Sequence, residues 1–235
     1  MRYRFGDCAA DLATIDLNAL LYKYEVDISW AIRNVFNDEL QITSPWRSPG
    51  QTAGYVETSI TWDRRAQARK ERIDKFLWNE EKGMYFDYNT VIGQRSDYEC
   101  ATMFYALWSG LASPEQAAAL VSKALPKFEH VGGLTVSTEG SRGPIGPDRP
   151  QRQWDYPYGW APHQILAWDG LRRYGYIKEM ERLVYRWLHL LIRTIVDYNG
   201  TIAEKYDVTQ LENSRRADAE YGNQGVAFKG IAKEG

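Results

Sequence analysis

The spacing of the apolar residues constrains this chain more than any other feature of its sequence. Between 178 and 197 apolar side chains recur every three or four residues and form one wide stripe. Such a stripe is typical of an amphipathic helix that packs along one side. The same spacing predicts further helices over 11–36, 55–81, 98–112, 114–125 and 162–174. The chain is therefore predicted to be mainly α-helical, with about six helices of ordinary length or longer.

Long connections rich in Gly and Pro separate these predicted helices. The stretch 130–159 holds six of the 19 Gly residues and has no helical spacing, and a loop of this length inside a compact domain is usually functional. The aromatic segment 84–89 predicts one arm of a short hairpin. Helix pairs with long loops gathered between them indicate a helical toroid, in which loops build a central pocket. Because six helices cannot close such a ring, we expect a single domain over 1–235 that forms part of one.

Composition and spacing argue against several classes of protein. The formal net charge is −2, so no basic field is expected to hold a nucleic-acid partner. The sequence has neither an apolar run of about 20 residues nor a secretory leader, and we expect a cytoplasmic protein without a membrane partner. Cys8 and Cys100 lie far apart and are interpreted as free thiols. No zinc spacing, phosphate loop or nucleophile elbow is present, so neither a metal nor a cofactor is expected.

An alternating aromatic run, "QWDYPYGWAP", occupies residues 153–162. Its aromatic members would share one face of an extended backbone: Trp154, Tyr156, Tyr158 and Trp160. A half-buried strand is the simplest interpretation, but Pro157 argues against a central strand. Polar side chains also lie among the rings, namely Gln153, Asp155 and His163. Aromatic faces beside hydrogen-bonding groups suit a sugar, so a sugar pocket is the alternative interpretation.

Hydrolysis of a glycosidic bond needs two carboxyl groups, one protonated and one charged. Acidic residues that lie in loops near Gly and aromatic residues are the candidates: Glu139, Asp155, Glu204 and Glu220. Most acidic side chains in any protein are solvated surface groups. Glu204 is favoured because the segment "NGTIAEKYD" predicts a short strand that follows a helix end. Glu220 lies in "EYGNQG", whose flexible backbone could approach a ligand.

Several long segments together resemble fungal-type members of the trehalase family of glycoside hydrolases. They are "DLATIDLNALLYKYE", "GGLTVSTEGSRGP", "DRPQRQWDYPYGWAPHQILAWDGLRRYGY", "VDYNGTIAEKYDVTQLE" and "DAEYGNQG". The resemblance implies an (α/α)6 toroid that hydrolyses the disaccharide α,α-trehalose to two glucose molecules with inversion. It implies that Glu204 is the general base and that Gln153, Trp154 and Asp155 contribute to the sugar pocket. Glu220 is implicated in substrate binding less directly.

The resemblance covers only the C-terminal half of the family's catalytic domain, about half of the ring. The family's general acid precedes a Tyr/Ser-Arg-Phe step, which here is residues 3–5, so its position falls at or before Met1. Asp7 lies on the wrong side of that step, and the chain stops at 231–235, where the family continues. We therefore expect a chain truncated at both ends that has no measurable trehalase activity alone. Uncovered apolar helix faces would favour self-association.

Two other functions remain open from the sequence. The chain could be a non-catalytic remnant that acts as a sugar-binding or regulatory module, since family membership and activity are separate claims. It could also resemble another inverting toroidal glycosidase that acts on a different α-glucoside. The catalytic interpretation makes one geometric demand, that Glu204 lies beside the ring of Trp154 in a cup.

Overall fold

The structure is a computed structural model that describes residues 9–42, 54–147, 151–197, 200 and 202–212. Helices form most of its framework. Four helices in these ranges are long: α1 (Ile15–Val35), α2 (Ser59–Phe76), α7 (Ala161–Arg173) and α8 (Ile177–Asp197). Four are short: α3 (Tyr105–Trp108), α4 (Pro114–Ala119), α5 (Leu125–Phe128) and α6 (Glu139–Arg142). The 3-10 turns Ala9–Asp11 and Ala101–Phe104 lie before α1 and α3.

Short antiparallel strands pair with one another at the ends of the helices. One sheet has three strands: β1 (Leu12–Ala13), β6 (Tyr88–Asn89) and β7 (Gln94–Arg95). The others are pairs: β2 (Glu39–Ile42) with β3 (Tyr55–Thr58), β4 (Trp78–Asn79) with β5 (Met84–Tyr85), β8 (Glu129–His130) with β9 (Gly133–Leu134), and β10 (Tyr158–Trp160) with β11 (Lys205–Asp207). The segment 84–89, predicted as one arm of a hairpin, is instead divided between two strands: β5 pairs with β4, and β6 pairs with β1 and β7.

Two of the predicted helix ranges, 55–81 and 98–112, were wrong at their ends. The helix predicted over 55–81 begins only at Ser59, because the residues before it pair with β2 as far as Thr58 opposite Glu39. The helix predicted over 98–112 is limited to a 3-10 turn and α3. A capping box begins α4, since the Ser113 side chain accepts from the Gln116 backbone N–H while the Gln116 side chain accepts from the Ser113 N–H.

The helices pack in two rows. In one row α3 contacts both α1 and α7, while α2 covers α1 and α8 covers α7. Their shared core is closed by fully buried side chains, including Phe104, Leu107, Phe128, Leu171 and Leu183. This arrangement fixes the N-terminal end of α7, where the aromatic run enters the helix.

Three extended segments lie side by side at that end of α7. In the ladder between β10 and β11, Gly159 is opposite Tyr206 and Trp160 is opposite Lys205. On the other side of β10, the Val136 N–H donates to the Tyr158 carbonyl at 2.8 Å. The run 153–157 is turned rather than extended, so only Tyr158 and Trp160 of the four alternating aromatic residues lie on a strand. The ladder instead joins the aromatic run to the segment that contains Glu204.

Close packing holds the three segments together. The buried Gln164 amide bonds both backbone groups of Leu134, accepting from its N–H at 2.9 Å and donating to its carbonyl at 2.7 Å. A Cβ atom on Gly159 would lie 2.5 Å from the Leu134 carbonyl oxygen and 2.6 Å from a Val208 methyl group. Because real Cβ atoms do not approach backbone oxygen so closely, only glycine fits at this position.

His163 is a second buried polar side chain in the first turn of α7. It is 7% exposed, and its ring lies 6.0 Å from those of Tyr105 and Trp154, centroid to centroid. Its Nδ1 atom has no hydrogen-bond partner within the described ranges. Burial lowers the pKa of His163 to about 4, although Asp16 acts in the opposite direction. The imidazole is therefore neutral at neutral pH.

The outer side of α8 carries an apolar stripe that faces solvent. Its members recur at helical spacing and are between 47% and 72% exposed: Tyr185, Leu188, Ile192 and Val196. Among the described helices, none is both long enough and apolar enough to cross a bilayer.

We predict that Gly159→Ala destabilises the fold, by about 1–3 kcal/mol in the free energy of unfolding, because the added methyl group must displace backbone. Urea unfolding followed by circular dichroism measures the change. Gly140→Ala is the matched control, because a Cβ atom there would meet nothing within 4 Å. Equal stability of the two variants would contradict the proposed packing of β10 against Leu134.

We predict that His163 makes the fold sensitive to mild acid. The depressed pKa means that its contribution to stability is intact above about pH 6.5 and is lost as the pH falls towards about 4. Between pH 7.5 and pH 5 this loss amounts to about 2 kcal/mol, because the unfolded chain binds the proton first. Urea unfolding at both pH values should show a smaller loss for His163→Gln. Equal losses in the two proteins would show that His163 is not held neutral.

Candidate functional site

The turn 153–155 is held by a pair of stacked tryptophans. The rings of Trp154 and Trp160 lie 3.8 Å apart, centroid to centroid, and are nearly parallel at 6°. The Trp160 indole Nε1–H donates to the Gln153 carbonyl at 2.8 Å. Because Trp160 belongs to β10, these two contacts fix the predicted sugar-pocket residues Gln153 and Trp154 relative to the strand. Both residues are half-buried.

Asp155 lies deeper than its neighbours. It is 5% exposed, and its carboxylate accepts a hydrogen bond from the Tyr98 hydroxyl at 2.6 Å. Tyr98 lies on the segment before α3, far from Asp155 in the sequence, and no sequence pattern pointed to it. A buried carboxylate with a phenol donor is held in one orientation, as a residue that binds a ligand hydroxyl requires.

Glu204 lies on the solvent side of the same assembly, just before β11. Its side chain is 70% exposed, whereas that of Lys205 is 13% exposed. The Lys205 Nζ atom is 3.4 Å from a Glu204 carboxylate oxygen and 5.2 Å from the centroid of the Trp160 ring. Glu204 is thus linked to Trp154 through Lys205 and Trp160. The described residues do not enclose its carboxylate in the cup that the catalytic interpretation demands.

A second aromatic group surrounds Tyr156. The His130 ring meets it edge to face at 5.6 Å, and the Arg142 guanidinium lies 5.3 Å from its centroid. Burial raises the pKa of Tyr156, with further contributions from Glu139 and Asp207. Burial also lowers the pKa of His130. The Tyr156 phenol and the His130 imidazole are therefore both neutral at neutral pH. A neutral phenol and a neutral imidazole can each exchange hydrogen bonds with a sugar hydroxyl.

The remaining candidate acids are placed differently from one another. Glu139 begins α6 with a side chain that is 65% exposed and 3.3 Å from Arg142. Asp207, an acid of β11 outside the predicted set, is largely buried and accepts hydrogen bonds from the Thr209 backbone and hydroxyl and from Gln210. Glu220, the fourth predicted substrate-binding residue, lies outside the described residues. Within the described ranges, no three His, Cys, Asp or Glu residues are placed to share a metal ion.

Most of these contacts could not be read from local sequence patterns. Tyr98 and Ser137 contact the aromatic run from distant segments, and the Ser137 hydroxyl accepts from the Tyr156 N–H at 2.9 Å. The sequence does place a lysine directly after Glu204, but the contact of that lysine with Trp160 depends on the pairing of β10 with β11. The arrangement as a whole offers aromatic surface, a fixed buried carboxylate and an exposed carboxylate, which is chemistry suited to a carbohydrate.

Comparisons with known proteins identify relatives along the whole chain. The family model for Trehalase matches residues 2–235. The cytosolic neutral trehalase of Neurospora crassa is 59% identical over 234 residues, which is 99% of this chain and 32% of that protein. The cytosolic neutral trehalase of Saccharomyces cerevisiae is 54% identical over 233 residues, 99% of this chain and 30% of that protein. The chain thus spans about a third of the length of these curated relatives.

Solved structures agree with the sequence comparison. The neutral trehalase Nth1 from Saccharomyces cerevisiae superposes with a TM-score of 0.81 at 54% identity, covering 89% of this chain and 37% of that one. A GH63 mannosylglycerate hydrolase from Thermus thermophilus gives a TM-score of 0.64 at 19% identity, covering 85% of this chain and 43% of that one. The second likeness shows the fold alone, and together they confirm the predicted partial (α/α)6 toroid. By family model, sequence identity and fold, the chain belongs to the trehalase family.

Proposed function

We propose that the protein takes part in trehalose breakdown, hydrolysing α,α-trehalose to two glucose molecules with inversion. The observation that carries this proposal is the β10–β11 ladder, with Trp160 opposite Lys205. The ladder brings the segment Gln153–Asp155 together with Glu204, which precedes β11. The high identity to neutral trehalases supports trehalose as the substrate.

In the proposed reaction Glu204 acts as the general base. Its carboxylate takes a proton from a water molecule, and the oxygen of that water bonds to the anomeric carbon as the glycosidic bond breaks. A protonated carboxyl group on the opposite side of the sugar gives its proton to the departing oxygen. The exposure of Glu204 leaves its carboxylate accessible to water and substrate. We assign no residue of this chain as the general acid.

Substrate binding is proposed for Gln153, Trp154, Asp155 and Glu220. The Trp154–Trp160 stack supplies a rigid aromatic surface on which the C–H face of a glucosyl ring can pack. Asp155, held by the Tyr98 hydroxyl, is suited to accept from a sugar hydroxyl. No cofactor, metal, nucleic acid or membrane is part of this proposal. We infer a cytosolic location from the relatives named cytosolic neutral trehalases.

One observation favours a second candidate, a sugar-binding or regulatory module without turnover. Glu204 is 70% exposed in the described structure, whereas an inverting glycosidase holds its water in a closed space between two carboxyl groups. Binding of trehalose without release of glucose would support this candidate over the catalytic one.

We predict that Glu204→Gln lowers glucose release from trehalose by about 10²–10⁴-fold, because the amide cannot accept the proton of the attacking water. Binding of trehalose, followed by calorimetry, should persist. The assay uses the protein in the form that its own cells make. The control Glu181→Gln removes an exposed carboxylate on α8, outside the proposed site. Undiminished turnover of the Glu204→Gln protein would contradict the proposed base.

We also predict that the 235-residue chain self-associates through the apolar stripe on α8. Exposed apolar stripes of this kind drive association, since burying them removes apolar surface from water. Size-exclusion chromatography at several concentrations should show species larger than the monomer. Leu188→Glu should shift the distribution towards the monomer. A sharp monomer peak for the unmodified chain at every concentration would contradict this expectation.

A further inference from the structure

We propose that Lys205 is a positioning residue for the reaction: its ammonium group, held over the Trp160 ring, orients the carboxylate of Glu204. The inference deepens the proposed function and rests on the role of Glu204 as general base. Its basis is the sequence of contacts from Trp154 through Trp160 and Lys205 to Glu204.

The two charged side chains differ in how firmly they are held. Lys205 is 13% exposed, whereas Glu204 is 70% exposed and makes its one described ion pair with Lys205. An exposed carboxylate on a flexible side chain samples several rotamers, which a general base must not do. Since the ammonium group has the more fixed position, it constrains the carboxylate rather than the reverse.

The position of Lys205 is itself fixed by the ladder and by Trp160. Residues directly opposite in an antiparallel pair project their side chains to the same face, and Trp160 is opposite Lys205. The Lys205 Nζ atom therefore lies over the indole ring, at 5.2 Å from its centroid. A lysine cation over a tryptophan is attracted to the negative ring face, and more strongly where it is shielded from water.

The Trp160 ring is a rigid platform for this contact. One of its faces stacks on Trp154 at 3.8 Å, and its Nε1–H bonds the Gln153 carbonyl at 2.8 Å. The same indole therefore supports a proposed substrate-binding turn and the lysine beside the proposed base. A change in the position of Lys205 would alter Glu204 and leave the substrate-binding turn 153–155 in place. Loss of the Lys205 charge should therefore lower kcat and leave KM nearly unchanged.

The test compares Lys205→Met, Lys205→Arg and unmodified protein, each in the form that its own cells make. The methionine variant keeps an unbranched side chain over the indole and removes the charge. The arginine variant keeps the charge and can also stack on an aromatic ring. Lys82→Met is the matched control, because Lys82 is an exposed lysine that lies 4.9 Å from the centroid of the Phe86 ring, in the turn between β4 and β5.

We expect Lys205→Met to lower kcat for trehalose by about 10–100-fold, the scale of a small misplacement of a catalytic group. KM should change little, and Lys205→Arg should recover most of the lost turnover. Lys82→Met should match the unmodified protein. Thermal melting shows whether Lys205→Met folds. If it does not, Lys205→Arg alone decides, and a turnover about 10–100-fold below that of the Lys82→Met control overturns the inference.

Three other outcomes would also overturn it. An unchanged kcat for Lys205→Met would show that the ion pair does not orient the base. A raised KM with unchanged kcat would identify Lys205 as a substrate contact. A loss that arginine does not restore would indicate a structural role. Failure of the proposed function looks different, since the unmodified protein itself would then release no glucose from trehalose.

Discussion

The candidate site depends on the antiparallel pairing of β10 with β11. This short ladder holds the aromatic run beside the segment around Glu204. The two are separated in the sequence by the whole of α7 and α8. Three residue pairs form the ladder, so it needs support from outside. Gln164 supplies part of that support from α7 by bonding the Leu134 backbone, and Gly159 allows the strand to approach that backbone closely.

Packing between the helices allows α7 to support the ladder. The helix packs against α3 and α8, and the two polar side chains in its first turn are both buried. Gln164 satisfies both of its polar groups with backbone, whereas His163 is kept neutral by burial beside Trp154. A scaffold of this kind is shared with a mannosylglycerate hydrolase at 19% identity. The fold alone therefore does not determine the chemistry of a site.

Local sequence patterns predicted the helices better than the site. The apolar stripe over 178–197 predicted α8 to within one residue at its start, because periodic burial of one helix face is a local property. The four residues from Tyr55 were wrongly predicted as helix, because their pairing with β2 depends on a distant segment. The contacts of Tyr98 with Asp155 and of Lys205 with Trp160 also join distant segments, and spacing along the chain carries no signal for them. The resemblance implied which residues form a sugar site, but not the physical links between them.

Trp154 and Glu204 are proposed to serve one sugar site. A crystal structure of the Glu204→Gln protein, in the form its own cells make, soaked with trehalose tests it most directly. We expect a glucosyl ring packed on Trp154, with the substituted side chain beneath its anomeric carbon and within hydrogen-bond reach of a water molecule. Trehalose bound away from Trp154, or a substituted side chain that turns away from the sugar, would contradict it.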